Sequence, residues 1–160
     1  MTAAQGTGAL MKIGLILAVA VIVLRIGLEQ SGAPDAINNI FGVAWLYLIF
    51  PVLFAWRIAA AYDANRFKAL FKNVFLFALC TRLMVLVTYM LAYLFQWNAP
   101  RFSVKMGGNV GGNTTPFVGL VLVPVRNAIF WILLATAAGM ILGGITLWLR
   151  RMSSSPSKVT

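Results

Sequence analysis

The sequence predicts an all-α integral membrane protein whose four helices cross the bilayer. Four apolar stretches, at residues 10–28, 40–62, 74–95 and 128–149, each have the length of about 20 residues that a helix needs to cross the hydrocarbon core. Composition agrees, because 61% of the residues are hydrophobic and 10% are charged, whereas about 25% of a soluble domain is charged. With 160 residues, we expect one membrane domain and no separate soluble one.

The first apolar stretch has an alternative interpretation as a cleaved signal peptide. Lys12 would supply its basic region, residues 13–24 its apolar core and residues 31–33 its small-residue cleavage site. Glu29 before that site and Pro34 after it do not suit cleavage. We therefore expect this stretch to remain as the first membrane-spanning helix.

Basic residues set the expected orientation. The net charge is +10, from 13 Lys and Arg against 3 Asp and Glu. After four crossings, one side would carry most of the basic residues that lie outside or at the ends of the spans: Lys12, Arg66, Lys68, Lys72, Arg150, Arg151 and Lys158. The positive-inside rule then places both termini, the loop at residues 63–73 and the tail at 150–160 in the cytoplasm, most simply of a bacterial inner membrane. This distribution favours anionic lipids as partners over nucleic acid.

The cytoplasmic side is predicted to form an anionic-lipid surface. Its residues are Arg66, Lys68, Lys72, Arg150 and Arg151. Phe67, Leu70 and Phe71 lie among the first three, so we expect this loop to lie against the inner membrane surface.

Small residues spaced four apart predict close helix contacts. Ala135, Gly139 and Gly143 form one ridge on the last span, and Gly14 and Ala18 form a shorter one on the first. Such ridges let helix backbones approach closely in a membrane. The contact is either inside a four-helix bundle, which we favour, or between copies or subunits.

Charged residues within or at the edges of the spans are candidate lipid or ligand contacts. Arg25 and Glu29 are spaced as an i,i+4 pair near the outer boundary, where Arg126 also lies, and Arg57 lies near the cytoplasmic end. Arg82 is the deepest, about two turns into the third span. It either contacts an anion or a lipid phosphate within the membrane or extends to the cytoplasmic headgroups.

Aromatic residues near the span ends predict interfacial belts. They are Trp45, Tyr47, Trp97, Trp131 and Trp148. Their amphipathic rings favour the headgroup region.

The outer loop at residues 96–127 is long and rich in Gly and Asn. Its apolar segments at 102–106 and 117–123 suggest either a β-hairpin or a re-entrant segment that dips into the membrane. It lacks the Gly-Lys-Ser/Thr ending of a phosphate-binding P-loop.

Few residues of the chain are candidates for catalysis. The chain has no His, a single Cys at position 80 and 3 carboxylates divided between the two predicted sides. We therefore expect no enzyme, no metal site and no cofactor. The favoured function is a non-catalytic accessory subunit or assembly factor of a larger membrane complex, with lipids and other subunits or further copies as partners. The alternative is a small oligomeric transporter or channel that uses the intramembrane arginines for an anionic or lipidic substrate.

Overall fold

A computed structural model of the protein describes residues 3–60 and 65–153, and in these ranges no residue belongs to a β-strand. Five α-helices follow one another: α1 (Ala3–Gln30), α2 (Asp35–Ile40), α3 (Ala44–Ala60), α4 (Arg66–Leu94) and α5 (Val123–Ser153). Four helical segments are long and apolar enough to cross a membrane, which confirms the predicted all-helical class and the presence of four helices suited to spanning a bilayer. Asp63 and Lys158 lie outside the described residues.

The third span begins earlier than the sequence suggests. α4 starts at Arg66 instead of residue 74, so residues 66–73 of the predicted 63–73 loop are helix. Its first turns are held by packing, because Leu70 is fully buried and its side chain lies against Gly143 of α5. The expectation of a loop is therefore wrong for residues 66–73.

The connection between α4 and α5 is not a β-hairpin. Residues 102–106 cover the end of one short 3₁₀ turn, Pro100–Phe102, and the whole of a second, Val104–Met106, with an extended Ser103 between them. The other expected arm, 117–123, is helical and contains a π-helical turn at Val118–Leu122 that runs into α5. A continuous helix satisfies its own backbone hydrogen bonds, as a membrane requires, and π turns are common where a helix must accommodate an irregularity, here just before Pro124.

This connection packs onto the helices of its own chain. The fully buried Phe102 ring meets Tyr89 edge-on, with ring centres 5.0 Å apart. The equally buried Asn109 donates from Nδ2 to the carbonyl oxygens of Tyr89 and Gly119, each at 2.7 Å. A side chain at Gly108 would overlap the Phe102 backbone, so this turn needs glycine. Residues 95–117 thus cover one end of the bundle.

The helices form a bundle in which α3 and α4 are the central pair. α1 packs against α3 and α4, and α5 packs against the same two helices. At one end, which we call the basic end, the Arg150 guanidinium lies 3.4 Å from the centre of the Trp56 ring and the α4 N-terminus meets α5. The opposite end, covered by residues 95–117, is called the loop end.

The small-residue ridge of α5 is buried inside the bundle. Ala135, Gly139 and Gly143 all face the interior. A Cβ atom added to Gly139 would lie 2.6 Å from Val74 Cγ1 and 2.9 Å from Pro51 Cγ. The ridge therefore lets α5 approach α3 and α4 closely, which is the internal contact rather than one between copies.

The shorter ridge of α1 has a similar position. A Cβ atom added to Gly14 would lie 2.7 Å from Phe50 Cε1 and 2.8 Å from Phe77 Cε2. Ala18, one turn further along, is fully buried. α1 thus rests on aromatic rings of α3 and α4.

Candidate functional site

Three arginines from separate parts of the chain meet near the loop end. Arg25 comes from the end of α1, Arg82 from α4 and Arg101 from the first 3₁₀ turn of the connection. All three line one cavity of about 290 Å³. Every charged side chain among the residues that line this cavity is an arginine. We call it the arginine cavity.

The remaining walls come from four segments. They are α1, the segment from the end of α2 to the start of α3, α4 and α5. Their uncharged lining residues are Val21, Ile22, Asn39, Phe41, Gly42, Val43, Ala44, Val85, Tyr89, Asn127 and Trp131. Gly42 leaves room for the first arginine, because a Cβ atom added there would lie 3.3 Å from Arg25 Nη1. The N-terminus of α3 at this wall adds partial positive charge from its backbone N–H groups.

Glu29 holds two of the three guanidinium groups. Its Oε1 atom lies 2.8 Å from Arg25 Nε, one helical turn away, and 2.9 Å from Arg101 Nε. The residue is buried. The Arg25 contact is a hydrogen bond, and the Arg101 contact is an ion pair. The buried Nε and Nη2 atoms of Arg101 have no hydrogen-bond partner in the described part of the chain.

The ion pairs of Glu29 with Arg25 and Arg101 lie between the arginine cavity and a second cavity. A smaller cavity of about 130 Å³ is lined by Glu29, Arg25 and Arg101 together with Asp35. Arg25 and Arg101 each line both cavities, whereas Glu29 lines only the smaller one. The carboxylate is therefore on the far side of a wall that presents positive charge to the larger cavity.

Arg101 stays positively charged although its side chain is largely buried. Burial lowers the pKa of Arg101 below its ordinary value, and the nearby Glu29 carboxylate opposes this shift. Because an arginine guanidinium stays protonated in proteins, Arg101 is a cation in this wall at neutral pH.

Arg82 is held by aromatic rings rather than by a carboxylate. The residue is only 6% exposed. Its guanidinium carbon lies 5.0 Å from the centre of the Tyr47 ring and 4.7 Å from that of Trp131, distances typical of cation–π contacts. Its Nε atom is buried and has no hydrogen-bond partner in the described part of the chain. Tyr47 and Trp131, which the sequence places in interfacial belts, instead contact this cation.

A layer of aromatic rings closes the core below Arg82. Phe50 and Phe77 stack with ring centres 4.9 Å apart, and Phe54 and Tyr47 both meet Phe77 edge-on at 6.1 Å. All four side chains are buried. They fill the bundle between the arginine cavity and the basic end.

The depth of Arg82 differs from the sequence expectation. It lies 16 residues after Arg66 and 12 before Leu94, or about 24 Å and 18 Å along the helix at 1.5 Å per residue. The sequence placed it about two turns from the cytoplasmic side because the span was taken to begin at residue 74. The earlier start of α4 puts Arg82 nearer the loop end, where it lines the same cavity as Arg25 and Arg101.

The other predicted charged residues lie elsewhere. Arg126 is exposed at the loop end, outside the cavity, with Nη2 3.5 Å from the Gly107 carbonyl oxygen. Arg57 is exposed near Gly6. The predicted lipid-surface residues occupy the first turns of α4 and the last turn of α5: Arg66, Lys68, Lys72, Arg150 and Arg151.

Sequence analysis missed Arg101 as a site residue. One signal was present, because Arg101 and Glu29 are opposite charges on the predicted outer side, where charges are few. Nothing in the sequence indicates that the connection folds back far enough to bring them together.

The arrangement is suited to holding an anion. Within residues 3–60 and 65–153, no group of three or more His, Cys, Asp and Glu side chains comes together. No protein-family model, curated protein or solved structure matches the chain. The function is therefore inferred from the cavity itself.

Proposed function

We propose that the protein binds an anionic ligand in the arginine cavity and serves as a small membrane-embedded binding protein or carrier for an anionic or lipidic substrate. The observation that carries this proposal is that Arg25, Arg82 and Arg101 line one cavity to which no carboxylate of residues 3–60 and 65–153 contributes. Like charges brought together at low dielectric repel each other, and a buried guanidinium is costly in a membrane. A bound anion would offset both costs and would stabilise the folded protein.

The shape of the site favours binding over open conduction. The cavity volume of about 290 Å³ is near the lower end for small-molecule sites. The aromatic layer around Phe77 fills the core on the side of the basic end. Passage of a substrate through one copy of the chain would require this layer to move, so transport would proceed by rearrangement or between copies in an oligomer.

The proposal includes an orientation. By the positive-inside rule, the basic end faces the cytoplasm of a bacterial inner membrane and the loop end faces the opposite side. Cysteine labelling tests this in a Cys80→Ala background. A Met106→Cys variant, at a position 73% exposed at the loop end, should react with a membrane-impermeant maleimide in intact cells, and a Lys72→Cys variant should react only after lysis. The reverse pattern would place the cavity on the cytoplasmic side.

A second candidate is the non-catalytic subunit or assembly factor. It is favoured by an exposed, mainly apolar strip on one face of the π turn and α5. Arg126 and seven large apolar side chains line a shallow groove there: Phe117, Val121, Leu122, Val125, Ile129, Phe130 and Leu133. The small-residue ridge and residues 95–117 pack within the chain and give this candidate no support. Lipid chains could cover the same strip, so the composition of the native assembly decides between the two.

Native mass spectrometry of protein gently extracted from its own membrane tests both candidates. We expect bound anionic lipid or another anion on the wild type, and a loss of affinity of at least about tenfold in Arg82→Gln and Arg101→Gln, since a hydrogen bond to a charged group contributes about 1.5–3 kcal/mol. Arg126→Gln is the matched control, because this exposed arginine lies at the same end, on the apolar groove and outside the arginine cavity.

The outcomes separate the two functions. Equal anion binding by all these variants would reject the proposed site. Stoichiometric recovery with other polypeptides and without a bound anion would favour the subunit candidate. Arg101 lies on the connection, so its variant keeps the test valid if Arg82→Gln does not fold.

A further inference from the structure

We infer that the anion is a phosphate monoester, presented either by a lipid headgroup or by a small soluble molecule. This inference rests on the proposed function, because it names the ligand class of the same cavity.

Charge balance is the first argument. Arg25, Arg82 and Arg101 contribute three positive charges, and Glu29, which engages two of them, contributes one negative charge. The site therefore has a net charge of about +2. A phosphate monoester carries about −1.5 to −2 at neutral pH, whereas a phosphodiester or a carboxylate carries only one negative charge. The monoester balances the site most fully.

The available donors are the second argument. Each guanidinium has five N–H groups. Glu29 accepts a hydrogen bond from Arg25 Nε, whereas the buried Nε and Nη2 atoms of Arg101 have no hydrogen-bond partner in the described ranges. Arg82 pairs with no carboxylate in the described ranges, and its buried Nε has no partner. Three guanidinium groups match the three terminal oxygens of a phosphate monoester, and arginine binds phosphate through two parallel hydrogen bonds.

The size of the cavity is the third argument. A volume of about 290 Å³ equals about ten water molecules at 30 Å³ each. This accommodates a phosphate with a short polar group such as glycerol, but not acyl chains as well. Any acyl chains would lie outside the cavity, so recognition would depend on the phosphate end of the ligand.

Two phospholipid probes that differ by one methyl group test the preference for a monoester. Purified wild-type protein is titrated by native mass spectrometry with dioleoyl phosphatidic acid, a monoester, and with dioleoyl phosphatidylmethanol, a diester of nearly equal headgroup size. Dioleoyl phosphatidylcholine, which is zwitterionic, gives the background. We expect phosphatidic acid to bind at least about tenfold more tightly than phosphatidylmethanol. Arg82→Gln should remove this preference, and Arg126→Gln should retain it.

Glycerol 3-phosphate, added as a competitor, identifies the source of the phosphate. Displacement of phosphatidic acid shows that the phosphate end alone is recognised and points to a soluble ligand. A monoester preference without displacement points to a lipid, and either result supports the inference.

Two results would contradict the monoester inference, and they differ in what they imply for the proposed function. Equal binding of phosphatidic acid and phosphatidylmethanol, with both reduced by Arg82→Gln, would overturn the monoester inference and leave the proposed function standing. Anion binding that none of the cavity arginines affects would overturn both.

Discussion

Arg82→Met is expected to abolish anion binding while leaving the free energy of unfolding of the ligand-free protein unchanged or raised by about 1–4 kcal/mol. Arg82 is buried between Tyr47 and Trp131 and belongs to neither ion pair of Glu29. Removing it forfeits cation–π contacts that contribute about 0.5–2 kcal/mol. It also removes a desolvation cost of several kcal/mol. A methionine of similar length would fill the space between the rings.

Unfolding of the ligand-free protein in detergent, followed by aromatic fluorescence, measures the stability part of this prediction. Arg126→Met provides the control, since it removes an exposed arginine from the same end of the bundle and should change neither binding nor stability. A loss of more than about 2 kcal/mol in Arg82→Met would exceed the typical cation–π contribution and would show that Arg82 holds the fold together rather than serving a ligand.

Gly139→Ala is expected to lower the free energy of unfolding by about 1–3 kcal/mol, because overpacking a close helix contact costs this much. The new Cβ atom would lie 2.6 Å from Val74 Cγ1 and 2.9 Å from Pro51 Cγ. Neither neighbour can move far, since Val74 and Pro51 are themselves buried. α5 would have to shift away from α3 and α4.

Gly144→Ala separates this packing effect from the change in helix propensity. Gly144 is also in α5, but the nearest atom to an added Cβ is Phe67 Cε1 at 3.8 Å, an ordinary contact. Both substitutions gain the same backbone preference for alanine, about 1 kcal/mol in water. If equilibrium unfolding shows equal stability for the two variants, then the buried ridge does not hold α5 in the bundle.

The four spans were predictable because length and apolarity are local properties of the chain. A hydropathy pattern does not require knowledge of neighbouring helices. The start of α4 was harder to place, because Arg66, Lys68 and Lys72 resemble a loop by charge. The helix there is stabilised by Leu70 packing on Gly143, a contact between positions far apart in sequence.

The arginine cavity could be predicted only in part. The Arg25–Glu29 pair follows from i,i+4 spacing, and it is present at 2.8 Å. Its meeting with Arg82 and Arg101 depends on how α1 and α4 are rotated and on how the connection folds back through Phe102 and Asn109. These are tertiary properties that spacing along one helix does not contain.

The most direct test of the central claim is the anion occupancy of Arg82→Gln and Arg126→Gln protein, measured side by side in native mass spectra at matched protein stability. Binding in the arginine cavity predicts that occupancy falls at least about tenfold in Arg82→Gln and stays at the wild-type level in Arg126→Gln. Equal occupancy in the two variants would show that anions bind elsewhere on this basic protein and would contradict the claim.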